Sequence, residues 1–205
     1  MTPDAAKLSV VNLALAHLGE PLTETLDLDD ASQAARTALG FIDTARDTVL
    51  SAHGWLRCLT YVTLPSNGED GDFRFSYWIN LPGDCLRIWE VDDTEARRPI
   101  RWEIGTRALD GEERAIIRSD TAPLDLAYVR RIGWDGLPSH LVNPIAALTA
   151  SLTASPMQGD AGKAKALADR YKAELAAAVS QDGMQQREGP LLVQSGAWSL
   201  RQSVG

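Results

Sequence analysis

The stretch NLALAHLGEPLTETLDLDDASQAARTALGFIDTARDTVLSAHGW, from Asn12 to Trp55, decides the fold. Leu8, Val11, Leu15 and Leu18 recur at helical spacing, and Gly19 followed by Pro21 supplies a left-handed cap and then a residue that cannot continue a helix. Helix one therefore ends near Leu18. Asp30 stands three residues before Gln33, a capping-box arrangement that predicts the start of helix two. Ala31, Ala34, Ala38, Phe41, Ile42, Ala45, Val49 and Ala52 then form one apolar stripe up to Trp55. At roughly 1.5 Å per residue this helix would span on the order of 35 Å.

After Trp55 the period changes from helical to alternating. Leu56, Cys58, Thr60, Val62 and Leu64 predict one strand, and Phe73, Phe75, Tyr77, Ile79 and Leu81 a second, joined by the polar loop Ser66 to Asp72. Leu86, Ile88 and Trp89 fall in a third strand after Pro82-Gly83-Asp84, and Ile100, Trp102 and Ile104 in a fourth. Asp110-Gly111 is a hairpin signal ahead of Arg114 to Arg118, and Leu124, Leu126 and Tyr128 close the sheet. Helical character returns near Leu137. Pro144 would break a helix begun at Pro138, so a short turn is expected from Pro138, with the third helix capped by Asn143 and running to about Ala154. Asp160 caps a fourth, with Ala164, Leu167, Ala168, Tyr171, Leu175 and Ala178 on one side and Lys163, Lys165, Arg170 and Lys172 on another.

The predicted class is α+β. Residues 1–55 and 137–182 would form a four-helix bundle, 56–136 an inserted antiparallel β domain, and 183–205 an extended C-terminal arm. The arm is mostly Gly, Gln and Ser, but carries Leu191, Leu192, Val193, Trp198 and Leu200, too few for a core. Such a set suits a segment that orders on a partner, with a frayed tail as the alternative. Trp78 is out of phase with Phe73, Phe75 and Tyr77, so it points to the other side of its strand and is a candidate inter-subunit contact, with a second small core on that side as the alternative.

A chain of 205 residues with 44% hydrophobic content can bury one normal core. It contains no apolar run of membrane-spanning length, and MTPDAAK has no hydrophobic signal region, so a protein folded in the cytoplasm is expected, with no membrane partner. Cys58 and Cys85 each lie in a strand-like run, as buried thiols do, with a disulfide or a metal ligand as the alternatives. The net charge of −8 argues against gripping nucleic acid through its phosphates. It suits either a solvated acidic surface or a wall that repels passing DNA.

Catalytic patterns are sparse. His17, His53 and His140 stand at or near helix ends, where a C-terminus would favour imidazolium at His17 and His53, and none has a zinc-site spacing. No nucleophile elbow and no phosphate-binding glycine loop is present, so no cofactor is expected. The carboxylates Glu20, Asp27, Asp29, Asp30, Glu69, Asp70 and Asp72 could supply a glycosidase pair or, in the Glu69–Asp72 loop, a weak calcium site. Capping and solvated-loop roles explain them more simply.

Asn12, Leu13, Ala14, Leu15, Leu18, Gly19, Glu20, Pro21, Gly54 and Trp55 resemble the opening of the tail tubular protein A and head-to-tail adaptor family of tailed bacteriophages and phage-like particles. YWINLPGDCLRIWEV (Tyr77 to Val91) is similar to that family's central strand pair. LDLAYVRRIGWDGLPSHLVNPIAAL (Leu124 to Leu148) is similar to its last strand, turn and third helix. The resemblance implies a non-enzymatic structural adaptor, a dodecameric ring in the virion neck. Its partners would be a portal protein, a tail tube or stopper protein and its own ring neighbours, with DNA passing through without specific binding. It also implies that the arm, through Leu191, Leu192, Val193, Trp198 and Leu200, contacts the portal. A virion-associated peptidoglycan hydrolase and a small bacterial scaffolding protein are the alternatives.

Overall fold

The computed structural model describes residues 2–67, 71–93, 100–109, 111–158 and 161–185. It is an α+β structure with four long helices and two small antiparallel sheets among those residues. The arm residues Leu191, Leu192, Val193, Trp198 and Leu200 lie outside them, as do Glu69, Asp70 and the proposed cap Asp160.

Helix α1 spans Pro3–Leu18. The Thr2 hydroxyl accepts the Ala5 N–H at 3.3 Å, Pro3 starts the helix, and Gly19 ends it at φ 71°. The Gly19 and Glu20 amides donate back to the carbonyls of Ala16 and Leu15, the two bonds of a glycine stop. Pro21 then turns the chain away. Its buried stripe contains Val11, Leu15 and Leu18 as expected, widened by Val10 and Ala14, with Leu8 only half-buried.

Helix α2 spans Gln33–Ala52, and its cap is Ser32 rather than Asp30. The Ser32 hydroxyl accepts the Ala35 amide at 3.2 Å. The acidic residues before it are used in a turn, where the Asp27 carboxylate accepts the Asp29 amide and its carbonyl the Ala31 amide. The helix is correspondingly shorter than expected, roughly 30 Å at about 1.5 Å per residue. Its buried face is Ala34, Ala35, Ala38, Ile42, Ala45 and Val49, with Leu50, while Phe41 is half-buried and Ala52 exposed.

Helix α3 spans Ser139–Gln158 and runs straight through Pro144. The expected start at Asn143 is thus corrected by one turn. Proline at the sixth position, beyond the four amides that lack intrahelical partners, forfeits one backbone bond. Burial of Leu141, Ile145, Ala146, Ala150 and Ala154 outweighs that loss. A 3-10 turn at Trp134–Gly136 leads into it. Helix α4, Ala161–Gly183, packs chiefly on α3, which also lies against α1 and α2 and is the hub of the helical part. Lys163 reaches the Leu18 carbonyl at 2.6 Å and holds the start of α4 to the end of α1.

Six strands follow α2: β1 Leu59–Leu64, β2 Tyr77–Asn80, β3 Cys85–Asp93, β4 Trp102–Leu109, β5 Glu112–Ser119 and β6 Leu124–Arg130. They form two three-stranded sheets, ordered β1-β6-β3 and β2-β5-β4. The β4-β5 hairpin turns at Gly111, φ 84°. The expected long second strand is corrected: β2 has four residues, and Phe73 is 98% exposed. Asp72 causes this. Its carboxylate accepts the amides of Arg74 at 2.8 Å and Phe75 at 3.0 Å, closing a turn where extension was expected.

The apolar side chains form two cores. One lies among the helices and includes Trp55, Cys58, Val129 and Ile132. The other lies between the sheets, from Ile79 and Ile117 on one side to Val91, Leu124, Leu126 and Tyr128 on the other. Strand β6 alternates between them, Val129 toward the helices and Leu126 and Tyr128 toward the second sheet.

Candidate functional site

The densest meeting of ionisable groups with burial is at the junction of helices and sheet, and it explains the HGW ending of α2. His53 caps α2 in an extended conformation, and the chain turns so that Trp55 enters the helical core completely. The Trp55 indole N–H donates to the Val49 carbonyl at 2.9 Å, so its burial leaves no orphan donor. Gly54 is required by Trp89 of β3. A Cβ on it would stand 2.9 Å from that indole ring. Arg87 lies over the same ring at 5.4 Å and donates to the Ser51 carbonyl, binding β3 to the end of α2.

Beside Trp55, His140 of α3 and Asp182 of α4 face each other, His140 Nε2 to Asp182 Oδ1 at 3.4 Å, with both side chains only 2% exposed. The other carboxylate oxygen of Asp182 accepts the Leu56 amide at 3.1 Å, and His53 Nε2 stands 4.0 Å from it. Three helices and the first residues after α2 are clasped at one carboxylate. Burial pushes the His140 imidazole below its ordinary value; the Asp182 charge opposes this and Arg57 reinforces it. The Cys58 thiol is pushed up to about 11, first by burial and then by Asp182. A thiol so placed is not a nucleophile at neutral pH. Cys58 and Trp55 are fully buried here, so the arrangement fixes geometry rather than admitting a substrate.

A second polar network braces α1, α2 and the approach to α3. Asp43 pairs with Lys7 at 2.8 Å and Arg46 at 3.3 Å and accepts the Trp134 indole N–H at 3.1 Å. Burial raises the Asp43 carboxyl, but Lys7, Arg46 and Trp134 together hold it below the usual carboxylate range. Arg46 also lies over the Trp134 ring at 5.1 Å. Asp47 joins Arg46 to Arg131, at 3.0 and 2.9 Å.

The carboxylates considered for hydrolysis have local backbone roles where they are described. Asp27 orders its own turn, and Asp72 is held below the usual range by the Arg74 backbone hydrogen bond first. Glu20 follows the α1 stop, and no group of three or more metal-ligating side chains converges among the described residues. Cys58 and Cys85 are free thiols; Cys58 is buried as expected, whereas Cys85 is half-buried. His17 departs from expectation: burial and Arg170 lower it, so the helix end does not make it a cation. No described helix is long and apolar enough to cross a membrane.

No family model and no curated protein sequence matches the chain. Its site must be read from its own geometry. Of the residues singled out in the sequence, Trp78 is on the outer face of its sheet, opposite to Ile79, as its phase required. It is half-buried rather than bare, because Arg107 lies over its ring at 4.7 Å. The His140–Asp182 clasp went unrecognised in the sequence. The only local signal was an aspartate at the penultimate position of an alanine-rich helix, where an anion is disfavoured by the helix dipole.

Proposed function

We propose that this protein is a structural adaptor of a phage or phage-like particle, joining a portal to tail or stopper proteins as one subunit of a ring around the DNA channel. The observation that carries the proposal is the use made of the residues resembling the adaptor family. Several are geometric fixtures. Asn12 pins the loop after Pro21 by bonding both the amide and the carbonyl of Thr23, at 2.8 and 2.9 Å. Gly19 stops α1, Gly54 seats Trp89, and Asp84 accepts the Tyr128 hydroxyl and, through its carbonyl, the Arg131 amide. Motifs spent on shape rather than on convergent proton donors and acceptors fit a part whose work is to be held by neighbours.

On this reading the helical part and sheets form the body, and residues 183–205 form the arm that meets the portal. Leu191, Leu192, Val193 and Trp198 are its anchors, each aliphatic one contributing roughly 1.5 to 3 kcal/mol when buried, less the cost of ordering the segment. The subunit is therefore mainly monomeric at micromolar concentration, and the ring closes on the portal, where many arms act together. The test is deletion of residues 183–205. Circular dichroism and melting should be unchanged, while incorporation into particles is lost; Trp198→Ala should lose it in part. Wild-type occupancy by the truncated protein would refute the arm's role.

A further inference from the structure

The two sheets share one core, so their outer faces point in opposite directions, and those faces carry opposite charge. The open part of the β1-β6-β3 face is a groove of about 280 Å³ containing Tyr61, Glu90, Asp92 and Asp125. Asp92 and Asp125 are directly opposite one another across the strands, and Tyr61 is 73% exposed at the edge. The outer side of the β2-β5-β4 sheet bears arginines at 74, 101, 107, 114 and 118 against Glu103, Glu112, Asp120 and, beside Arg74 and Arg118, Asp72.

Three of these arginines are held in place. Arg118 lies flat across Gly105, where a Cβ would stand 2.7 Å from its Nε, and pairs with Glu103 at 3.0 Å. Arg107 covers Trp78 and Arg101 covers Phe75 at 4.6 Å. Guanidinium groups fixed in this way lose little freedom on meeting carboxylates, and they match them in shape. We propose that the acidic groove of one copy of this chain receives the arginine face of another, a head-to-tail contact between copies. The charge complement lies on the same chain, and overall the chain is acidic at −8, which favours this occupant over a nucleic acid. A contact of two different faces repeats from copy to copy and closes into a ring when the rotation permits. Its use in a ring rests on the adaptor reading, but the contact belongs to the isolated chain and is tested without a portal.

Full-length protein is examined by sedimentation velocity from micromolar to about 1 mM, the range in which a small interface forms measurably. Wild-type protein should associate reversibly, and less so in 1 M salt, where screening acts over about 3 Å. Glu90→Arg with Asp92→Arg makes both faces basic; Arg101→Glu with Arg114→Glu makes both acidic. Each variant alone should remain monomeric, and an equimolar mixture should associate at least as strongly as wild type. Should a double variant fail to match the wild-type circular dichroism, Glu90→Arg and Arg114→Glu singly take its place. Monomeric wild type at every concentration, or a mixture that does not associate, overturns the proposal. So does an arginine-face variant that loses binding to duplex DNA while still associating with itself.

Discussion

Replacing Asp182 by alanine removes the acceptor of the Leu56 amide and the partner of His140 in one step. A hydrogen bond to a charged group is worth about 1.5 to 3 kcal/mol, and a buried donor left without an acceptor costs about 1 to 3 kcal/mol, two views of the same loss that are not added. The His140 contact, at 3.4 Å, adds little while the imidazole is neutral. Relief of the buried carboxylate's desolvation acts the other way. The expected net loss is therefore about 2 kcal/mol, a melting shift of roughly 4 to 8 °C for a chain of this size. Asp182→Asn keeps an oxygen for the Leu56 amide and should lose less than half as much. Urea unfolding gives the totals, and hydrogen exchange should show the faster opening concentrated at residues 54–58 and the last turn of α4. An Asp182→Ala protein within about 0.5 kcal/mol of wild type, the range of ordinary surface changes, would refute the clasp.

Gly54→Ala should cost about 1 to 3 kcal/mol by overpacking against the Trp89 ring, read as a lower urea midpoint with altered tryptophan fluorescence; an unchanged midpoint would mean that the ring moves freely aside. Asn12→Ala should cost about 1 to 3 kcal/mol, since the Thr23 amide and carbonyl both lose their partner, and limited proteolysis should cut within residues 20–31 first. Acid should weaken the fold below about pH 6.5: with the folded-state His140 lowered, the unfolded chain takes up the proton more readily, so stability falls as pH drops through that value. His17, lowered in the same sense, adds to this, so the slope of unfolding free energy against pH should flatten stepwise in His17→Gln and in the double variant with His140→Gln. Identical slopes in all three proteins would contradict both assignments.

Much of the fold was legible because local rules and tertiary packing agree. Gly19 and Pro21 end α1, the alternation of Leu124, Leu126 and Tyr128 marks a strand, and Gly111 turns a hairpin. Failures came where two local signals competed. Asp30 and Ser32 are both good caps, and the choice went to Ser32 because the preceding aspartates were already committed to a turn. Pro144 is a breaker by propensity but lies near a helix start whose far side is buried on three other helices. Phe73 alternates with Phe75, yet Asp72 bends the chain before it. The clasp was illegible for another reason: Asp182 and Leu56 are 126 positions apart, and no short motif reports such a pairing.

The clasp also bears on how the arm would work. Asp182 is the penultimate residue of α4, so the segment from 183 onward departs from the helix–sheet junction and not from a loose helix end. An arm whose root is fixed searches a smaller volume than one on a frayed helix, and the effective concentration of its anchors at a nearby surface is correspondingly higher. On the adaptor proposal, then, weakening the clasp and weakening the anchors are separable. Trp198→Ala should reduce attachment without changing stability. Asp182→Ala should reduce both, and restoring stability with a compensating substitution elsewhere in the helical core should leave its attachment defect in place. If attachment recovers fully with stability, the root position contributes nothing, and the arm acts only through its own side chains.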